Sequence, residues 1–201
     1  MDRREAIKRT ALLTGFAVSG SFVSAVLQGC QPEAKSLLAE WTPLFFAKED
    51  GLRLAEIAER ILPRTDTPGA QDVFVHEFVD LFVNDCLEAE LQQRFREGFA
   101  QLLADCQQAH GRPFDECSPQ EQLAFLNAQD ETVVAYAQEN PDLQIEDYPF
   151  FLTLKQLILL GYFTSEKVCT EVLAYLPVPG KYEPCMPYEE GMPVWATGGR
   201  Y

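Results

Sequence analysis

The sequence predicts an all-α fold: a single compact helical domain with an extended Pro/Gly-rich C-terminal arm, preceded by a signal segment. Three observations carry that expectation. Apolar residues recur at helical spacing across most of Lys48 to Phe163, the mark of helices with one buried face. Prolines fall between these stretches rather than inside them. The tail from Pro177 to Tyr201 holds five of the 13 prolines and four of the 12 glycines, a composition that regular structure does not tolerate. The expected organisation is a signal segment over 1–29, a tether over 30–47, a helical domain over 48–176 and an irregular docking arm over 177–201.

Residues 1–29 read as a targeting segment. Arg3 and Arg4 stand together before Ile7 and Lys8, with Ala6 where a twin-arginine signal usually has Phe. The apolar stretch from Ala11 to Leu27 is diluted by Thr14, Gly15, Ser19, Gly20, Ser21 and Ser24, which gives the mild hydrophobicity of such signals. An ordinary secretory signal or an uncleaved anchor is the alternative. Leu27-Gln28-Gly29-Cys30 is similar to a lipobox, which makes Cys30 the acylated first residue of the mature chain, held by several acyl chains rather than one. Gln31 rather than Asp follows, which in a Gram-negative host favours the outer membrane. The expected location is therefore periplasmic, reached by the twin-arginine route and lipid-anchored. After the tether, Trp41, Leu44, Phe45 and Phe46 are the first expected core contacts.

From Lys48 to Leu62, Leu54, Ile57, Ala58 and Ile61 fall at i, i+3, i+4 and i+7, with Arg53, Glu56, Glu59 and Arg60 outside. Pro63 stops this helix, and Thr65-Asp66-Thr67-Pro68-Gly69 is a turn in which Asp66 and Thr67 can bond their own backbone and Gly69 permits positive φ. Ala70 to Leu87 runs without a break and predicts a buried helix; His76 within it reads as a satisfied histidine rather than a ligand. Leu91, Phe95, Phe99, Leu102 and Leu103 form the next stripe, ended by Gly111 and Pro113. Ser118-Pro119-Gln120-Glu121 is a helix start with a capping box, followed by a face of Leu123, Leu126, Val133, Val134 and Ala137 up to Asn140-Pro141. The apolar helix Phe150 to Phe163 comes next. Thr164 or Ser165 caps a last helix, which must end by Leu176 before Pro177 and Pro179.

Charge excludes one broad class of partner. The chain carries 16 Lys+Arg against 31 Asp+Glu, a net −15. Removing residues 1–29 takes away Arg3, Arg4, Lys8 and Arg9 with Asp2 and Glu5, leaving 12 against 29, or −17. Such a surface repels nucleic acid; it serves solubility or steers a basic partner. The sequence contains no Cys-x-x-Cys-His, no Gly-x-Gly-x-x-Gly and no phosphate loop, and its two histidines lack metal-ligand spacing. No catalytic, cofactor-binding or metal-binding residue stands out.

The cysteines say more. In an oxidising compartment pairing is expected. With Cys30 lipidated, Cys86, Cys106, Cys117, Cys169 and Cys185 remain, an odd number that leaves at least one free or bonded to another chain. Cys106 and Cys117 flank the turn at Gly111 and are the favoured internal pair; Cys86 with Cys169 is a second candidate. Cys185 lies on the arm between Pro184 and Pro187, where it faces a partner or bonds Cys169 to pin the arm. The arm also carries Tyr182, Met186 and Tyr188, with Met192, Trp195 and Tyr201, and aromatic anchors of this kind suit docking onto a partner. Folding back over its own domain is the other reading.

Two blocks carry a family resemblance. Gly161-Tyr162-Phe163-Thr164-Ser165-Glu166 precedes a charged helix and the arm Tyr175-Leu176-Pro177-Val178-Pro179-Gly180-Lys181-Tyr182-Glu183-Pro184-Cys185, and Ile61-Leu62-Pro63-Arg64-Thr65-Asp66-Thr67-Pro68-Gly69-Ala70 lies upstream in the expected order. Together they resemble subunit 3, the small or gamma subunit, of gluconate 2-dehydrogenase-type complexes. The resemblance implies an accessory subunit without a cofactor of its own. Its partner would be a large FAD-binding dehydrogenase subunit that oxidises gluconate, glucose or another sugar alcohol group. Electrons would pass to a cytochrome c subunit carrying haem c or to another acceptor. This chain would stabilise the flavoprotein and supply its export signal. The rival readings are a free-standing periplasmic binding lipoprotein and a self-contained enzyme.

Overall fold

The computed structural model describes residues 41–142, 148–176, 178, 180, 185, 187 and 189–196. The chain divides into two compact units at Trp41/Thr42, and the description below concerns the second, Thr42–Tyr201. Its described residues form six α-helices: α1 (Lys48–Ile61), α2 (Val75–Cys86), α3 (Ala89–His110), α4 (Pro119–Glu139), α5 (Phe150–Phe163) and α6 (Glu166–Glu171). Two 3-10 turns join them, Gln71–Val73 before α2 and Phe114–Glu116 before α4. No strand is present among the described residues, only an isolated parallel bridge between Ala174 and Trp195.

Helix α5 is the hub. Its sequence, FFLTLKQLILLGYF, is apolar on nearly every side, and such a helix is stable only when enclosed by others. It packs against α2, α3, α4 and α6, burying Phe151, Leu154, Ile158, Gly161 and Tyr162. Each large aliphatic side chain buried in this way contributes about 1.5–3 kcal/mol. Helix α1 closes the other side against α2 and α4 with Leu54, Ala55, Ile57 and Ala58. At the start of α5, Phe150 meets Phe95 edge-on at 5.1 Å, and the rings continue through Phe45, Phe46 and Phe99. Phe45 and Phe46 join the core as expected, whereas Leu44 stays exposed and Trp41 belongs to the first unit.

The structure corrects three details of the expected helices. Residues 70–87 are not one helix: the 3-10 turn ends at Phe74, whose φ of 54° breaks the path before α2 begins. Helix α4 buries Gln122, Phe125, Leu126 and Val133, while Leu123 and Val134 are exposed. A polar residue took the core position expected of Leu123: Gln122 donates to the Phe114 carbonyl at 2.8 Å and accepts from Arg60 at 2.7 Å, so its amide is satisfied. Gly69 has no positive φ. It is small for another reason, given below.

The caps agree with the sequence. Ser118 Oγ accepts from the Glu121 N–H at 3.4 Å, and the Glu121 carboxylate accepts from the Ser118 N–H at 2.8 Å. The Ser118 hydroxyl, its N–H and Arg112 together hold the Glu121 carboxyl down to about 2. Gly111, at φ 72°, ends α3 in the left-handed conformation that glycine adopts at least cost. Ser165 caps the short α6 through the Val168 N–H.

Candidate functional site

The two sequence blocks at 61–70 and 161–166 meet in space. The Tyr162 hydroxyl donates to the Pro68 carbonyl at 2.7 Å, tying the end of α5 to the loop after α1. One turn of the same helix brings Gly161 against Phe78 of α2. A Cβ on Gly161 would lie 2.6 Å from the Phe78 ring, so only glycine lets α5 and α2 approach this closely.

The loop itself is built around two carboxylates. Glu59, in the last turn of α1, accepts from the Arg64 N–H at 3.0 Å and the Gln71 N–H at 2.9 Å. Asp72 accepts from the Gly69 N–H at 2.8 Å and pairs with the Arg64 guanidinium. Burial works to raise the Asp72 carboxyl, but the Arg64 and Gly69 hydrogen bonds outweigh it and leave it below its usual range. A Cβ on Gly69 would stand 2.8 Å from the Arg64 backbone nitrogen and would also crowd the Glu59 carboxylate that the Arg64 and Gln71 N–H groups hold, which is why this position is glycine. At the exposed tip, Thr65 and Thr67 bond one another through backbone and hydroxyls; the sequence had pointed to Asp66 and Thr67. The base of the loop is fixed and its tip is solvated.

Beside this loop runs an open groove of 390 Å³ lined by Asp72, Val73 and Phe74 on one wall and by Ser165, Glu166, Lys167, Thr170 and Glu171 on the other. Phe74 is 40% exposed in a left-handed conformation that costs a non-glycine residue about 1–2 kcal/mol. The strained backbone serves the chain path: the Phe74 carbonyl receives the Glu77 and Phe78 N–H groups and so starts α2.

Past α6 the chain makes a closed loop. The Ala174 N–H donates to the Val194 carbonyl at 2.8 Å, and the Ala196 N–H donates to the Ala174 carbonyl at 2.9 Å. A turn at Glu189–Met192, with Gly191 at φ 87°, lies within it. The described part of the arm therefore returns to the domain through its backbone. Its apolar side chains do not: Tyr175, Leu176, Val178, Met192, Val194 and Trp195 are all exposed. Cys185 is exposed as well. Tyr182, Met186 and Tyr188, like Arg3, Arg4 and Cys30, lie outside the described residues.

The remaining cysteines separate into two cases. Cys106 and Cys117 are both buried and near one another, with no bond between them. Cys86 ends α2, while Cys169 lies on α6, whose groove is shared with the residues just before α2.

Sequence reasoning missed the polar pin of the N-terminal segment. Asp80 is 1% exposed and accepts three backbone N–H groups, from Leu44 at 2.6 Å and from Phe45 and Phe46 at 3.0 Å each. Arg96 covers the same segment, its guanidinium 4.2 Å from the Phe45 ring centre and bonded to the Phe45 carbonyl. The signal was present: Asp80 is the one acid inside Phe78-Val79-Asp80-Leu81-Phe82-Val83, and an acid in an apolar run must find donors. One turn earlier, His76 is buried to the same degree, and burial, only partly opposed by Asp80, lowers it to about 4.

Among the described residues, no three His, Cys, Asp or Glu side chains gather as a metal site, and no helix is long and apolar enough to cross a membrane. The described residues present loops fixed by backbone hydrogen bonds and an exposed apolar rim. No curated protein and no solved structure matches the chain. The family described as gluconate 2-dehydrogenase subunit 3 matches over residues 48–180. That match takes in α1 to α6, the blocks at 61–70 and 161–166 and the arm as far as Gly180, short of Lys181 to Cys185, and the chain belongs to the gluconate 2-dehydrogenase subunit 3 family.

Proposed function

We propose that this chain is the non-catalytic small subunit of a periplasmic, membrane-associated, FAD-dependent sugar or alcohol dehydrogenase complex. In this reading it stabilises the large flavoprotein, which carries the FAD and the catalysis, and escorts it through twin-arginine export directed by Arg3 and Arg4. Acylation of Cys30 holds the assembly to a membrane, the outer one favoured. A cytochrome subunit with haem c is a further partner, receiving electrons from the flavin.

The observation that supports a docking role best is the loop closed at Ala174. Six large apolar side chains, Tyr175 to Trp195, stand in solvent on a backbone already fixed at its base. Fixing the loop in advance reduces the ordering cost of binding, and aromatic anchors on a rigid base are the usual carriers of interface energy. Tyr182, Cys185, Met186 and Tyr188, in the same arm of the sequence, are the further docking candidates. The acidic surface, −17 once residues 1–29 are removed, suits a flavoprotein whose docking face is basic.

Co-expression with a large FAD-binding dehydrogenase frame, sought beside this one in the source genome, tests this. The expected result is a yellow complex that copurifies on a tag carried by this chain. Replacing Trp195 and Leu176 together by Ala should weaken it at least ~10-fold, as loss of two interface anchors predicts. A complex retained at full strength by the double variant would remove the loop from the interface. Absence of any flavoprotein association by the unaltered chain would remove the reading itself.

A further inference from the structure

We propose that Cys106 and Cys117 are a disulfide site, closed as the chain folds, that staples the end of α3 to the root of α4. The placement of both residues is fixed by backbone. Cys106 lies in the penultimate turn of α3, fully buried, and Cys117 follows the 3-10 turn Phe114–Glu116, donating its N–H to the Phe114 carbonyl at 3.2 Å. Gly111 reverses the chain between them. Cys117 lies close enough to Cys106 to raise its thiol, and the Cys117 thiol itself donates to the Pro113 carbonyl at 3.4 Å. Two thiols held together in an apolar core gain little from each other as weak donors, and no metal cluster among the described residues claims them.

The chemistry sets an order of events. In the folded chain the Cys106 thiol is pushed up to about 12, chiefly by burial and then by Cys117, so it is a poor nucleophile there. Closure therefore belongs to the stage at which the elbow is still open. An external disulfide is the oxidant: one thiolate of the pair attacks it, releasing one small thiol and leaving a mixed disulfide. The second thiolate then displaces the other small thiol. Two thiol protons are lost, the pair gives up two electrons, and the oxidant is reduced to two thiols.

The staple acts where α4 has most need of it. Beyond Val133 the helix is exposed through Glu139, and its buried contacts are Gln122, Phe125, Leu126 and Val133. Its direction is set at the root, where the Ser118–Glu121 box and the Arg112–Glu121 ion pair already hold the elbow.

Refolding of the reduced full chain in a mixture of oxidised and reduced glutathione, followed by blocking of free thiols, tests the site. A protease that cuts before aspartate separates the two cysteines at Asp115, placing Cys106 on peptide 105–114 and Cys117 on peptide 115–129. The expected product is these two peptides joined and released by reductant. Recovery of both peptides with blocked thiols would overturn the proposal. Melting gives a second readout: reductant should lower the midpoint of the oxidised chain by about 5–10 °C. Cys106→Ala and Cys117→Ala should each abolish that dependence. A single variant that still responds to reductant would assign the effect to another pair, and peptide mapping of the unaltered chain decides the matter even if both variants fail to fold.

Discussion

Two irregular segments flank the helical body, and they are held in opposite ways. The segment before α1, residues 42–47, contributes Phe45 and Phe46 to the core and gives three backbone N–H groups to the buried Asp80. The loop after α6 is fixed by two backbone hydrogen bonds at Ala174 and leaves its large apolar side chains in water. The described residues of both are neither helix nor strand. The first is satisfied inside the chain. The second has a fixed frame with unspent apolar area, which is what a surface kept for another molecule requires.

The largest expected effect falls on the first segment. Asp80→Ala strips three N–H groups of their acceptor in a site where water has little access. Leaving buried donors unpaired costs about 1–3 kcal/mol each before relaxation, so a total loss of ~3–5 kcal/mol is expected in urea unfolding of the isolated chain. A loss below ~1 kcal/mol would mean that the segment re-pairs with solvent and that the contrast between the two segments is false.

A second test uses pH and the same helix. His76 has its folded pKa lowered from 6.5 to about 4, with burial the cause. A depressed histidine is neutral when folded, so the unfolded chain binds more protons between these two values. Its contribution to stability is fully present above 6.5, declines as pH falls and is gone below about 4. On the order of 3 kcal/mol is at stake over that window. Unfolding of the chain and of His76→Leu at several pH values isolates the effect, because the acids titrate alike in both. The variant should show a flatter dependence from pH 6.5 to 4; parallel curves would place the proton elsewhere.

Much of this architecture was legible in the sequence, and the parts that were not have a common cause. Helix α5 was found to the residue, because a run apolar on all sides admits only an enclosed helix and Pro149 and Thr164 bound it. The capping box at Ser118 and the stop at Gly111 were equally local. What periodicity could not see were polar residues used as core. Gln122 faces the core in place of its neighbour Leu123, and Asp80, Glu59 and Asp72 act through backbone N–H groups distant or irregular in sequence. Pattern reading counts such residues as solvent-facing. The break at Phe74 failed for a related reason: glycine or asparagine is the usual signal for a left-handed residue, and a phenylalanine gives no warning. At the candidate site, the two landmark blocks were visible as sequence, but their meeting through Tyr162 and Pro68 required the fold.

The smallest expected effect is the most telling for the second segment. Trp195 sits at the bridge, yet its ring is 43% exposed, and the bonds that close the loop run through the Ala174, Val194 and Ala196 backbones. Trp195→Ala therefore removes surface that the isolated chain gains little from and leaves the closure intact. Its cost to unfolding of the chain alone should be within ~0.5 kcal/mol, the range of substitutions away from packed or bonded features. An indole belonging to the core would behave quite differently, with a loss of about 3–5 kcal/mol. A measured loss above ~1.5 kcal/mol would show that the ring is engaged by the domain itself. The loop would then resemble the Asp80-held segment, satisfied within the chain and with little left for a partner. A negligible loss keeps the two segments distinct and leaves the tryptophan's burial to a surface outside this chain.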